Sequence, residues 1–102
     1  MYQCIIRIFD QNIEVCVGVI FYDQHMCNIV SVHTYEQYRN KGFCTLLLQN
    51  ILLFCNEKHI QTITLDDCTD NFNRPNNVYL KFGFHYINEG EPEMIYSLLK
   101  NQ

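Results

Sequence analysis

Arg39-Asn40-Lys41-Gly42-Phe43-Cys44 sets two cations and a glycine directly before the apolar run "FCTLLLQNILLF". The first turn of a helix leaves its backbone amides unpaired, and the helix dipole adds partial positive charge there. A glycine-bearing loop feeding such a turn is an anion site suited to a phosphate group. Gly42 has no side chain to hold a ligand away from the backbone, and Arg39 and Lys41 add charge. A basic surface turn with no ligand would use the same residues. The patterns GxxxxGK[ST] and GxGxxG are both missing, so the loop alone leaves the two readings open. Cys44, at the start of the helix, reads either as a small packing residue or as a thiol activated by the helix end; packing is the preferred reading.

Other chemistry is sparse. Six cysteines, at 4, 16, 27, 44, 55 and 68, form no CxxC pair. They read as reduced cysteines used as small hydrophobes in a cytosolic protein. Cys55 and His59 lie one helical turn apart, but no second pair has ligand spacing, so no metal site is expected. The start "MYQCIIRIFD" lacks the basic and apolar regions of a signal peptide. No apolar run reaches the roughly 18 residues of a membrane helix. A net charge of −4 argues against non-specific nucleic-acid binding and is compatible with a cationic amine as substrate.

These residues need elements to hold them. The chain has 102 residues, 48% of them hydrophobic, which predicts a single domain over 1–102 with one packed core. "YQCIIRIFD", "IEVCVGVIFY" and "MCNIVSVHTY" read as three strands of an antiparallel meander, divided by the turns "DQN" and "DQH". Residues 43–58 read as a helix. Phe43, Leu46, Leu47, Ile51, Phe54 and Cys55 form its apolar face, and Leu48, Leu52 and Leu53 widen that face until most sides are covered. A fourth strand runs from Ile60 to about Asp66, parallel to the third across a β-α-β unit. "NVYLKF" reads as a short helix ended by Gly83, "FHYIN" as a fifth strand and "EMIYSLL" as a sixth. Gly18 marks a bulge or a close-packing site in the second strand.

The loop from Arg39 to Cys44 resembles the [RQ]-x-x-G-x-[GA] signature of the GNAT superfamily of N-acetyltransferases, with Cys44 where that pattern prefers Gly or Ala. "NVYLKFGF" resembles the same superfamily's "LYxKxGF" segment, with Tyr79, Lys81, Gly83 and Phe84 at matching spacing, and "TYEQYR" is similar to histone-type members. The resemblance covers roughly residues 1–99, from the family's second strand onward. The first strand and two helices of the usual scheme, part of the acceptor wall, have no counterpart. The fold implied is α+β: a GNAT-like mixed β-sheet, an antiparallel meander joined to a parallel β-α-β unit, with two helices.

The resemblance implies acetyl-CoA as cosubstrate and transfer of its acetyl group to a primary amine by direct attack. Backbone groups near Val30, Ser31 and Val32 would pair with the pantetheine arm. A bulge there would splay the third strand from the fourth. One backbone N–H would polarise the thioester carbonyl. The pyrophosphate would lie on amides of Tyr38, Arg39, Asn40, Lys41, Gly42, Phe43 and Cys44. Tyr79 matches the general acid for the leaving thiolate, although it reads equally as a core aromatic. Asn77 would bond the pantetheine arm or cap its helix. The glutamate base of histone-type members aligns with Met26, which leaves His33 and Asp66 as candidate bases. The implied partner is an amine-bearing acceptor, small molecule or protein. A non-catalytic CoA-binding or protein-interaction module with a degenerate GNAT fold is the alternative. An exposed first-strand edge suggests a homodimer.

Overall fold

A computed structural model describes residues 1–69 and 71–98. Three strands lead: β1 (Tyr2–Asp10), β2 (Ile13–Tyr22) and β3 (Met26–Thr34). Their β-branched and aromatic residues suit a pleated, half-buried surface. Gln11 and Asn12 turn the first hairpin with φ of 51° and 68°, the positive values a two-residue hairpin turn requires. At the second turn, Asp23 Oδ1 accepts hydrogen bonds from the amides of His25 (2.8 Å) and Met26 (2.9 Å).

Helix α1 (Phe43–Glu57) connects β3 to β4 (Thr62–Asp66). α2 (Val78–Phe82), β5 (His85–Tyr86) and β6 (Glu93–Ser97) follow. The sheet order is β1-β2-β3-β4-β6-β5. β3 and β4 are parallel and every other pair is antiparallel. The expected mixed sheet with two helices is the observed one.

Inward residues of β2, β3, β4 and β6 (Ile20, Cys27, Ile29, Ile63, Leu65, Met94) meet Leu47, Leu48, Ile51 and Cys55 of α1 in one core. Gly18 lets the helix come close. A Cβ there would lie 3.0 Å from Leu47 Cδ2, so close packing is its role. No bulge falls at Gly18 itself: β2 has one at Val15, and the one nearest Gly18's partners falls on the neighbouring strand. Val19 pairs with Ser31 but Ile20 pairs with Ile29, which leaves Val30 as the extra residue.

Several boundaries differ from the sequence reading. Lys58 is the C-cap of α1 and Asn77 the N-cap of α2, so neither belongs to its helix. Ile60 is buried in the core, and its amide bonds Cys55 O, which delays β4 to Thr62. β5 keeps two of the five residues expected of it, because the pairing with β6 stops at His85 and Tyr86. β6 ends at Ser97, and residue 99 of the sixth-strand reading lies outside the described residues. α1 is not covered on most sides: Leu46 is 41% exposed and Leu53 60%. Among the described residues no helix is long and apolar enough to cross a membrane.

Candidate active site

The two parallel strands part at the bulge. β3 and β4 pair from Met26 with Thr62 to Ile29 with Leu65, and no further. β3 continues beside β2 as far as Thr34. From Val30 onward its other edge has no strand beside it. The separation opens a cleft of about 450 Å³. Val32, His33 and Thr34 form its β3 wall, and Tyr79 and Val78 of α2 face them. The loop before α1 closes one end, with Tyr38, Arg39, Asn40, Gly42, Phe43 and Cys44 on the lining.

That loop begins with a 3₁₀ turn, Glu36–Tyr38, in which the Tyr38 amide donates to Tyr35 O at 2.8 Å. Arg39 then reaches back, and its Nε donates to Thr34 O at 3.0 Å, tying the loop to the end of β3. Asn40 and Gly42 take φ of 63° and 86°. The first helical hydrogen bond runs from the Leu46 amide to Gly42 O. The amides of Phe43, Cys44 and Thr45 therefore have no acceptor within the helix, and Gly42 offers no side-chain cap. Nothing lies within 4 Å of where a Gly42 Cβ would be, so the loop is open on that side, and Phe43, Cys44 and Thr45 line the cleft. The Tyr38 and Phe43 rings meet edge to face at 6.4 Å and hold the loop's ends together. Such a row of free donors at a helix start suits a phosphate.

The named residues do not all converge. Val30 and Ser31 lie on the bulge, outside the lining; Val30 is 55% exposed. Lys41 is exposed and also off the lining. His33 lines the cleft, and its ring packs edge-on to Tyr35 at 4.9 Å. Asp66 is exposed, pairs with Glu93 in the ladder and does not line the cleft. The Asn77 side chain caps α2, accepting from the amides of Tyr79 (2.9 Å) and Leu80 (3.1 Å). Cys55 is in the core, while His59 is exposed beyond the helix end, so the two share no helical face.

Tyr79 is 8% exposed, on the side of α2 that meets the cleft. Its ring packs against Phe84 at 6.2 Å. Burial, followed by Cys44 and Asp67 nearby, pushes its phenol well above the ordinary tyrosine value. Cys44 is likewise pushed up to about 11, first by burial and then by Cys16. Burial disfavours the thiolate, which accords with Cys44 as a packing residue. All six cysteines are free. At pH 7.5 iodoacetamide is expected to modify exposed Cys68 well before Cys44. Peptide mapping should show the Cys44 rate climbing as pH approaches 11.

Asp67 is a residue of this region that the sequence reading did not use. It is 3% exposed and accepts four hydrogen bonds, from Thr69, Asn77 and Tyr86. Burial raises its carboxyl, but the bonds from Thr69, Tyr86 and Asn77 outweigh it and hold the group below the usual carboxylate value. The strand gave only a partial signal: Asp67 has the parity of the inward Ile63 and Leu65, but Thr64 of the other parity is buried as well and β4 ends at Asp66.

The model of the acetyltransferase (GNAT) family matches residues 3–84. No curated protein matches the sequence. Among solved structures, an aminoglycoside 6′-N-acetyltransferase complexed with coenzyme A superposes with a TM-score of 0.75 at 14% identity, over 93% of this chain and 72% of that one. The PaiA N-acetyltransferase of Thermoplasma acidophilum, in complex with coenzyme A, gives 0.76 at 15% identity, over 93% of this chain and 60% of that one. A GNAT family acetyltransferase of Elizabethkingia anophelis with acetyl-CoA bound gives 0.74 at 16%, over 92% and 75%. The present chain thus spans from 60% to 75% of the length of these three. The family match over most of the chain places this protein in the GNAT family of acetyltransferases.

Proposed function

We propose that this chain is an acetyl-CoA-dependent N-acetyltransferase, a cytosolic single domain acting on a primary amine. The observation that carries the reading is the cleft itself, which has a row of unspent amides at one end and a buried tyrosine on its wall. Coenzyme A or acetyl-CoA is present in the three solved structures described above. In the proposed chemistry the amides around Gly42 hold the pyrophosphate, with Arg39 and Lys41 adding charge. The exposed edge of β3 from Val30 to Val32 offers backbone groups to the pantetheine arm. The neutral amine attacks the thioester carbonyl and forms the C–N bond, the nitrogen passes its extra proton to a base, the C–S bond breaks, and Tyr79 gives its proton to the leaving sulfur. His33, on the cleft wall, is the better placed of the two candidate bases. The net charge of −4 suits a cationic acceptor.

Calorimetry with acetyl-CoA tests the first step. Saturable binding is expected, and no heat at millimolar ligand would end this reading. A second reading, a CoA-binding module without turnover, draws support from Asp66 lying off the cleft and from Met26 in place of a carboxylate. Turnover on any amine panel excludes it. The β1 edge, with Tyr2, Ile5 and Phe9 exposed, supports a homodimer, and a monomer mass at micromolar concentration would refute that.

A further inference from the structure

α2 has five residues, a little over one turn. A helix that short has no stability of its own, so whatever fixes its two ends fixes its side chains. Gly83 closes the far end, where its amide bonds the carbonyls of Tyr79 and Leu80. The near end depends on Asn77, which is 1% exposed. Its Oδ1 must face the amides of Tyr79 and Leu80 for the cap to form.

An amide side chain can be turned over with little change in shape, and only its partners decide which way it faces. Here the deciding partner is Asp67. Its Oδ2 accepts from Asn77 Nδ2 at 2.7 Å and from Tyr86 Oη at 2.6 Å. Its Oδ1 accepts from Thr69 Oγ1 at 2.6 Å and from the Thr69 amide at 3.1 Å. An ionised carboxylate has no hydrogen to donate, so it admits only the NH₂ side of Asn77. Asn71 O, 3.1 Å from Asn77 Nδ2, selects the same orientation. Asp67 is itself anchored, because its amide donates to Pro92 O at 2.8 Å, just before β6. A continuous chain thus runs from the sheet through Asp67 and Asn77 to the Tyr79 amide.

We propose that Asp67 is a positioning residue for Tyr79, orienting the Asn77 cap and through it the single turn that carries the phenol; the proposal rests on the reading of Tyr79 as the general acid. Asp67 touches no substrate in this scheme. Its contribution is the direction in which Asn77 faces.

The test is Asp67→Asn, which keeps size and shape while ending the carboxylate's preference for the NH₂ group. Hydrogen exchange at the Tyr79 and Leu80 amides is expected to speed up about tenfold or more, with Ile63 in β4 unchanged. At saturating acetyl-CoA, kcat is expected to fall about tenfold, and by less than about twofold when Tyr79→Phe is already present. In the Asn77→Ser background the cap is a hydroxyl oxygen with no second face to turn, so Asp67→Asn should there change neither amide protection nor kcat, and a further loss would overturn the proposal. Unchanged exchange at Tyr79 and Leu80 overturns the proposal, as does an equal loss of kcat in the Tyr79→Phe background. If Asp67→Asn alone does not fold, the Asn77→Ser background decides: a folded Asp67→Asn with Asn77→Ser protein with Tyr79 and Leu80 protected as in Asn77→Ser alone supports the proposal, and a folded protein without that protection, or one that also fails to fold, overturns it. If the natural chain acetylates no amine, the reading of Tyr79 fails on its own, and the exchange experiment still decides whether Asp67 sets the cap.

Discussion

Tyr79→Phe is expected to lower kcat by about 10²- to 10⁴-fold, the usual contribution of a positioned general acid, while acetyl-CoA affinity changes little. That loss corresponds to about 3 to 5 kcal/mol of transition-state stabilisation. The ring should stay where it is, because it packs against Phe84 and the backbone of Tyr79 is held by the Asn77 cap. Only the hydroxyl is removed. The pH profile carries the sign. Burial favours the neutral phenol, so Tyr79 remains a proton donor beyond the ordinary tyrosine value of about 10. Its ionisation should therefore cause no fall in kcat between neutral pH and about pH 10. Burial also costs the leaving thiolate, which makes the sulfur more basic in the same place and keeps donor and acceptor matched. Steady-state kinetics from pH 6 to 10, with calorimetry on both proteins, checks each part. A variant with undiminished kcat would return Tyr79 to the status of a core aromatic.

The strands were legible because each carries a regular pattern. β1, β2 and β3 combine β-branched residues with turn formers at Gln11–Asn12 and Asp23–Gln24, and the pairing follows. α1 was legible as a helix but not in its orientation. Leucines occur almost all round it, and only packing on the sheet decides that Leu47, Leu48 and Ile51 go inside while Leu46 and Leu53 stay outside. The same kind of ambiguity divided the site. "DD" at 66–67 presents two identical side chains, and only the bonds Asp67 finds in the fold send that one to the interior while Asp66 faces solvent. Asn77 had two chemically sound uses, and the sequence two residues before Tyr79 does not distinguish them. Tyr86 and Thr69 carried no signal at all, because their partner Asp67 is 19 and 2 residues away and becomes common to both only in the fold. In the loop from Arg39 to Cys44 the helix start at Gly42 was legible, because a glycine heads an apolar run, whereas the positive φ of Asn40 carried no signal and the loop's residues alone left an anion seat and a bare turn both open.

Gly42→Val is expected to weaken acetyl-CoA binding by about tenfold or more, equivalent to at least about 1.4 kcal/mol, with little change in thermal stability. Gly42 has φ of 86°. An L-residue in a left-handed conformation costs roughly 1–2 kcal/mol, and a β-branched one fits worse still. No atom within 4 Å of the new Cβ opposes it sterically, so the core is undisturbed. The exposed loop can relieve the strain by leaving its conformation, and the amides of Phe43, Cys44 and Thr45 then no longer converge on the cleft. Whatever part of the loop keeps its shape instead sets a branched side chain where the anion would lie. Both routes remove ligand affinity. Gly83→Val provides the contrast. Gly83 also has positive φ, 125°, but a Cβ there would fall 2.9 Å from Tyr96 Cε2 inside the core. Its cost should therefore appear as a lowered melting temperature rather than as selective loss of binding. Calorimetric affinity and melting temperature measured on both variants separate the two roles of glycine. Equal loss of stability in both would mean that Gly42 serves the fold, and would remove the main support for a phosphate seat at the start of α1.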